Sequence, residues 1–195
     1  MQFDFLKRMK DSGGELKKIN VLTACAMLGA LAVVMRNFTV DVTPQLRVGF
    51  SMIPNQIVDY LFGPVTGAIF GGVLDVLKFA IKPTGPFFFG FTFDAMLAAF
   101  IYGMFFYKRK LSFWRVLIAE GLVALIVNIG FNTLWLSVLY GKGFFALLPA
   151  RALKNIIMWP INTAIFYFLA QMLGRAGIFR TFRDEMPAGP AGKGE

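Results

Sequence analysis

Long apolar stretches, cut at short intervals by glycine, proline and charge, dominate this chain, and their length predicts helices rather than strands. Residues 21–35 are apolar up to Arg36, and a polar loop over 37–45 separates them from a second apolar stretch, 48–62, opened by Arg47. Gly63-Pro64 punctuates before a third stretch at 65–81. A loop over 82–91 follows, then apolar stretches at 92–107, 115–140 and 150–173, with 141–149 as a further loop. Crossing a hydrocarbon layer of about 30 Å takes roughly 20 apolar residues, so 21–35 needs its polar flank to span. The stretch 48–62 carries Pro54, Asn55, Gln56 and Asp59, and must face protein or a cavity rather than lipid. The expected fold is an all-α integral membrane protein, a six-transmembrane-helix bundle.

Composition strengthens that expectation. Hydrophobic residues make up 57% of the 195 and charged ones only 16%, far more apolar surface than a soluble domain of this size buries. The net charge of +9 is unevenly spread. Basic residues gather in the lead 1–20, around Lys108-Arg109-Lys110 with Arg115, and in the tail beyond Gly174, which places these regions and both termini in the cytoplasm. Three regions follow: a basic lead (1–20) without a convincing signal-cleavage site, a six-helix membrane domain (21–175), and a basic, Pro/Gly-rich tail (176–195) expected to be disordered. The remaining basic residues, Arg36, Arg47, Lys78, Lys82, Lys142, Arg151 and Lys154, fall near the opposite ends of the spans. Snorkelling to headgroups explains any one of them, and capture of an anionic ligand from outside explains several together.

Other features narrow the chemistry. The chain has no histidine and one cysteine, Cys25, within an apolar run, so imidazole metal sites, His-activated nucleophiles and intrachain disulfides are excluded. No catalytic or metal site, and no resident cofactor, is expected. There is no phosphate-binding G-x-x-x-x-G-K-[ST] loop, so any ATP-driven step belongs to a partner. No basic patch interleaved with aromatics points to nucleic acid; membrane lipid is the expected surroundings.

Four stretches carry candidate binding chemistry. The loop Lys82-Pro-Thr-Gly-Pro-Phe-Phe-Phe-Gly-Phe91 sets a cation among four phenylalanines and reads as a binding lip or lid. Ala26 and Ala30 form a small-xxx-small face on the first span, suited to close helix packing. Asn128 and Asn132, and Arg151, Asn155 and Trp159, recur four apart and so line helical faces, with Trp135 nearby. Such amides and indoles serve heterocycle recognition or interhelical hydrogen bonds equally well. Asp75 and Lys78, three apart, are expected to pair along one helix.

Leu46-Arg-Val-Gly-Phe-Ser, Leu61-Phe-Gly-Pro-Val-Thr-Gly-Ala, the Lys82–Thr92 stretch, Ile101-Tyr-Gly and Asn132-Thr-Leu-Trp-Leu resemble the folate-specific S components of energy-coupling factor transporters. The resemblance runs from about residue 21 to 173. It implies a multi-pass plasma-membrane subunit that binds folate and works with a transmembrane coupling subunit and two ATPases, docking through the face that holds Ala26 and Ala30. Folate offers a donor- and acceptor-rich pterin, flat rings and two carboxylates. The expected pocket residues are therefore Asn132, Trp135, Arg151, Asn155 and Trp159, with Phe88, Phe89 and Phe91 closing over them and Arg36, Arg47 and Lys82 on the carboxylates. An S component for riboflavin or thiamin, and a small exporter or membrane-embedded enzyme using Asp59, Asp75, Asp94 or Glu120, stay open beside this reading.

Overall fold

Gly63 turns the chain back on itself. Its φ of 86° and ψ of −173° break the helix Met52–Ile81 (α3), and Pro64 follows with no N–H to rejoin the ladder. As a continuous helix these 30 residues would hold their ends about 45 Å apart. Instead the Lys78 ammonium donates to the Ser51 hydroxyl at 3.2 Å, so the arms 52–62 and 64–81 run antiparallel as a helical hairpin. A Cβ at Gly67 would stand 3.4 Å from the Asp59 Cα, which shows how closely the arms pack.

The structure, a computed structural model, describes residues 2–36, 39–43, 46–83, 85–109, 111–141 and 143–175, with the backbone alone for 2–8, 39–43 and 46–49. The Arg47 side chain and the tail 176–195 lie outside that description. In chain order come α1 (Gln2–Glu15), α2 (Ile19–Met35), β1 (Thr39–Thr43), β2 (Leu46–Gly49), α3, α4 (Phe89–Phe106), α5 (Phe113–Tyr140) and α6 (Phe144–Arg175). The strands pair antiparallel, Val40 against Val48 and Asp41 against Arg47. α5 is π-helical over Val123–Phe131.

Helices α3 to α6 are each long and apolar enough to cross a membrane, and α1 with α2, bent by 83°, makes a fifth such candidate. Several boundaries differ from expectation. Residues 39–43 and 46–49 are paired antiparallel strands rather than a loop leading into a span at 48, because their β-branched Thr39, Val40, Val42, Thr43 and Val48 favour extended backbone. α4 begins at Phe89 and takes in three residues expected in the loop; α6 begins at Phe144, so the expected loop 141–149 shrinks to its first residues. The amides of Ala146 and Leu147 bond the Gly143 carbonyl, which starts α6 before Pro149 can interrupt it.

The core lies where arm 52–62 meets α4, α5 and α6. Tyr102, Phe106 and Phe166 stack at 5.7 and 5.3 Å, over Val58, Val116 and Ala119, all with little or no exposure. A polar knot crosses it: Glu120 accepts from Gln56 at 2.6 Å and from Tyr102 at 2.7 Å, using both carboxylate oxygens. At the hairpin's turn, Ser12 of α1 is buried and bridges the break. Its hydroxyl donates to the Phe62 carbonyl at 2.7 Å and accepts from the amides of Val65 and Thr66 at 3.1 and 3.2 Å. These amides are the orphan donors of a helix start, capped here by another helix. Lys108 pairs with Asp11 at 2.7 Å beside it, so α1, the turn and the α4 C-terminus share one end of the bundle.

Candidate functional site

The opposite end, where the hairpin's arms open, holds a cavity of about 440 Å³, within the range that takes small organic ligands. Arg36 reaches it from the end of α2 and donates to the Lys78 carbonyl, which also accepts the Lys82 amide at the end of α3. Lys78 and Ser51 line the same wall, with Asp75 accepting from Thr92 at 2.8 Å. The expected pairing of Asp75 with Lys78 along one helix is therefore replaced by bonds to other elements, because the hairpin and α4 bring in partners of better geometry.

Aromatic rings, with Leu136 and Leu139, form most of the rest of the lining, and further rings pack behind them. Phe87 meets Phe79 edge-on at 5.1 Å, and Phe88 meets Phe91 at 5.9 Å and Trp135 at 5.6 Å. Trp135 in turn stacks on Phe131 at 6.1 Å. Gly90 permits this approach, since a Cβ there would stand 2.7 Å from the Trp135 ring. Tyr140 closes the cavity from the end of α5.

Beneath this layer sits a polar cluster. The Trp135 indole N–H donates to Asp94 Oδ1 at 3.0 Å, the Arg151 guanidinium donates to the Asn132 side-chain oxygen, and the Asn155 amide donates to the Arg151 carbonyl at 2.9 Å. The π-helical turns of α5 end at Asn132, and Thr133 bonds the carbonyl of Asn128, five residues back. Such wide turns shift side-chain register and gather at functional sites. Asp94 is 4% exposed, and its Oδ2, like Arg151 Nε, is buried without a hydrogen-bond partner among the described residues.

The structure thus brings together Asn132, Trp135, Arg151, Asn155, Phe88 and Phe91, with Arg36 at the mouth. Phe89 turns outward, 68% exposed, and Lys82 is exposed at the loop's start. Trp159 stands apart: its indole donates to the Leu117 carbonyl at 2.7 Å on the α5–α6 seam, and its ring lies against Gly121. Ala26 and Ala30 are exposed on α2, opposite buried Gly29 and Ala32. Ser51, Phe79, Phe87 and Tyr140 line the cavity without having been anticipated there, and Asp94 was not anticipated beside Trp135. For Asp94 a signal existed: a carboxylate inside an apolar span, three residues beyond Phe91 and so on the same helix face. Among the described residues no group of three or more Asp, Glu, Cys or His is placed to hold a metal ion.

The sequence model of the family described as "ECF transporter, substrate-specific component" matches residues 20–170. The Folate transporter FolT of Clostridium novyi is 40% identical over 84% of this chain and 95% of its own. That of Leuconostoc mesenteroides is 41% identical over 74% of this chain and 80% of its own. A crystal structure of FolT bound with folic acid superposes with a TM-score of 0.71 at 34% identity, covering 80% of this chain and 95% of that one.

Proposed function

The chain belongs to the substrate-specific components of energy-coupling factor (ECF) transporters, and from that premise we propose that it is the folate-binding subunit of an ATP-driven uptake system in the plasma membrane. The observation that carries this is the 40% identity, over 95% of its length, to a curated folate transporter. The cavity agrees with it: cations at the mouth suit carboxylates, aromatic walls suit flat rings, and the amide–carboxylate–guanidinium cluster beneath suits a heterocycle edge.

The membrane topology follows from the hairpin. Counting its arms separately, the chain crosses six times, through α2, both arms of α3, α4, α5 and α6, with the short arm 52–62 shielded by its neighbours. The α1 end, with Ser12 on the α3 turn and Asp11 on Lys108, is the cytoplasmic one, and both termini lie there; the cavity opens outward. The division into a basic lead (1–20), a membrane domain (21–175) and a basic tail (176–195) is kept, with the lead folded as a helix that packs on the domain.

The subunit binds and presents its cargo and does no bond chemistry. ATP hydrolysis falls to two partner ATPases and force transmission to a transmembrane coupling subunit, which docks on the exposed small-residue face of α2 around Ala26 and Ala30. No cofactor is required. Titration of the purified protein with folic acid, riboflavin and thiamin tests the assignment. Saturable binding of folic acid alone is expected, and preference for either of the others replaces folate as the cargo.

A further inference from the structure

We propose that Asp59, with Gln56 and Asn55, forms a binding site for a small monovalent cation, sodium, inside the bundle on the short arm 52–62 of α3. This goes beyond the folate reading and does not rest on it. Asn55 and Gln56 lie four and three residues before Asp59, so the three side chains share one flank of the helix. Asp59 and Gln56 are 1% and 2% exposed. Both carboxylate oxygens of Asp59, with Gln56 Oε1 and Asn55 Oδ1, are buried without a hydrogen-bond partner among the described residues.

These four orphan atoms are all acceptors. Leaving a buried carbonyl unbonded is costly, and leaving a buried carboxylate without a counter-charge costs far more. The donors beside them are engaged elsewhere: the Gln56 amide and the Tyr102 hydroxyl each take one oxygen of Glu120. Tyr102 of α4 and Cys25 of α2 come within electrostatic reach of Asp59, and neither brings a positive charge. No lysine or arginine among the described residues pairs with it. A carboxylate inside a membrane span needs a partner, and here the chain supplies none of opposite charge.

The chemistry of the ligand follows from the atoms offered. A set made only of oxygens suits a hard cation, and a single unpaired carboxylate matches a single positive charge. Among the described residues no group of three or more Asp, Glu, Cys or His is placed to hold a metal ion, which argues against a divalent one. Across the hairpin, Asp59 Oδ1 lies against Gly67 in the first turn of the second arm, where any Cβ would collide with it. That tight setting favours a small ion, and the positive end of a helix favours a negative charge, which a metal cation neutralises and a proton would abolish. Gly63 breaks the helix four residues beyond Asp59, and broken helices are where membrane bundles place such cations. Ser51, which lines the cavity, Asn55 and Asp59 recur four apart and form a polar ladder from the cavity to the site.

The test is equilibrium binding of radioactive sodium to the purified protein in detergent, on wild type and on Asp59→Asn. Wild type should bind sodium saturably, lose it to unlabelled sodium and not to choline, and denature at a higher midpoint in sodium chloride than in choline chloride of equal ionic strength. Asp59→Asn should bind sodium at least about 10-fold more weakly and lose that difference in midpoint. Unchanged sodium affinity in the variant overturns the proposal. Wild type that binds no sodium overturns it without any variant, and a carboxylic-acid C=O stretch in its infrared spectrum would then give the orphan oxygens to a proton. Folic acid binding is read separately on the same samples, so its failure in wild type sinks the folate reading alone.

Discussion

Ser51 and Lys78, 27 residues apart, are joined by a 3.2 Å hydrogen bond that ties the two arms of the α3 hairpin together beside the cavity. Arg36 adds a bond to the Lys78 carbonyl, so two cations converge where an anionic ligand tail would enter. Replacing either Arg36 or Lys78 with alanine is expected to weaken folic acid binding about 10- to 100-fold, the range for a charged hydrogen bond. Pteroic acid, which lacks the glutamate, should bind these variants within about twofold of wild type. Equal losses for both ligands would place the cations elsewhere than on the tail.

Ser12 caps a helix it does not belong to. Alanine at this position removes the hydroxyl that the Val65 and Thr66 amides bond and that donates to the Phe62 carbonyl, which should cost about 1–2 kcal/mol, read as a lower denaturation midpoint in detergent. Gly63→Ala should cost more, because its φ of 86° disfavours a side chain and the added Cβ would stand 2.8 Å from Tyr107. Folic acid affinity should stay unchanged in Ser12→Ala, since the site lies at the other end of the bundle.

Tyr107 follows α4 and packs under Gly63, almost without exposure. Burial, then the carboxylates of Glu15 and Asp11, push its hydroxyl above the ordinary tyrosine value. The folded form holds this proton more tightly than the unfolded one, so its contribution to stability is complete below about pH 10 and is lost as pH rises beyond it. Tyr107→Phe should therefore show a shallower decline in stability between about pH 10 and 11.5 than wild type. Parallel declines would show that the folded and unfolded forms hold this proton equally tightly.

Trp159 was expected in the pocket and stands on the α5–α6 seam. Trp159→Phe removes the bond to the Leu117 carbonyl and should cost about 1 kcal/mol of stability while leaving folic acid affinity within about twofold. A loss of affinity without a loss of stability would return this tryptophan to the site.

Ala26 and Ala30 leave a strip on α2 that is exposed among the described residues. Bulky replacements, Ala26→Trp with Ala30→Trp, should abolish ATP-dependent folate uptake in a reconstituted transporter and leave binding to the isolated subunit intact. Reduced binding would instead make this strip part of the fold's own packing.

Much of this was legible in the chain. Apolar stretch lengths mark the helices, since a bilayer demands that every backbone group be bonded locally. Gly63-Pro64 marks the turn between two arms, because only glycine tolerates that backbone setting and proline cannot continue the ladder. The aromatic loop and the Asn132–Trp135 and Arg151–Asn155 spacings mark one side of the site, through helical periodicity alone. The other half depended on tertiary structure. Asp94 meets Trp135 across 41 residues, Gln56 meets Glu120 across 64, and Ser12 meets Phe62 across 50. Periodicity says which residues share a face, and nothing local says which face it will oppose. Spacing alone therefore pairs Asp75 with Lys78 and sets Trp159 on the face of Arg151 and Asn155. Only when the bundle closed, with buried polar atoms seeking any available partner of opposite kind, did Asp75 turn to Thr92, Lys78 to Ser51, and Asp94 to the Trp135 indole.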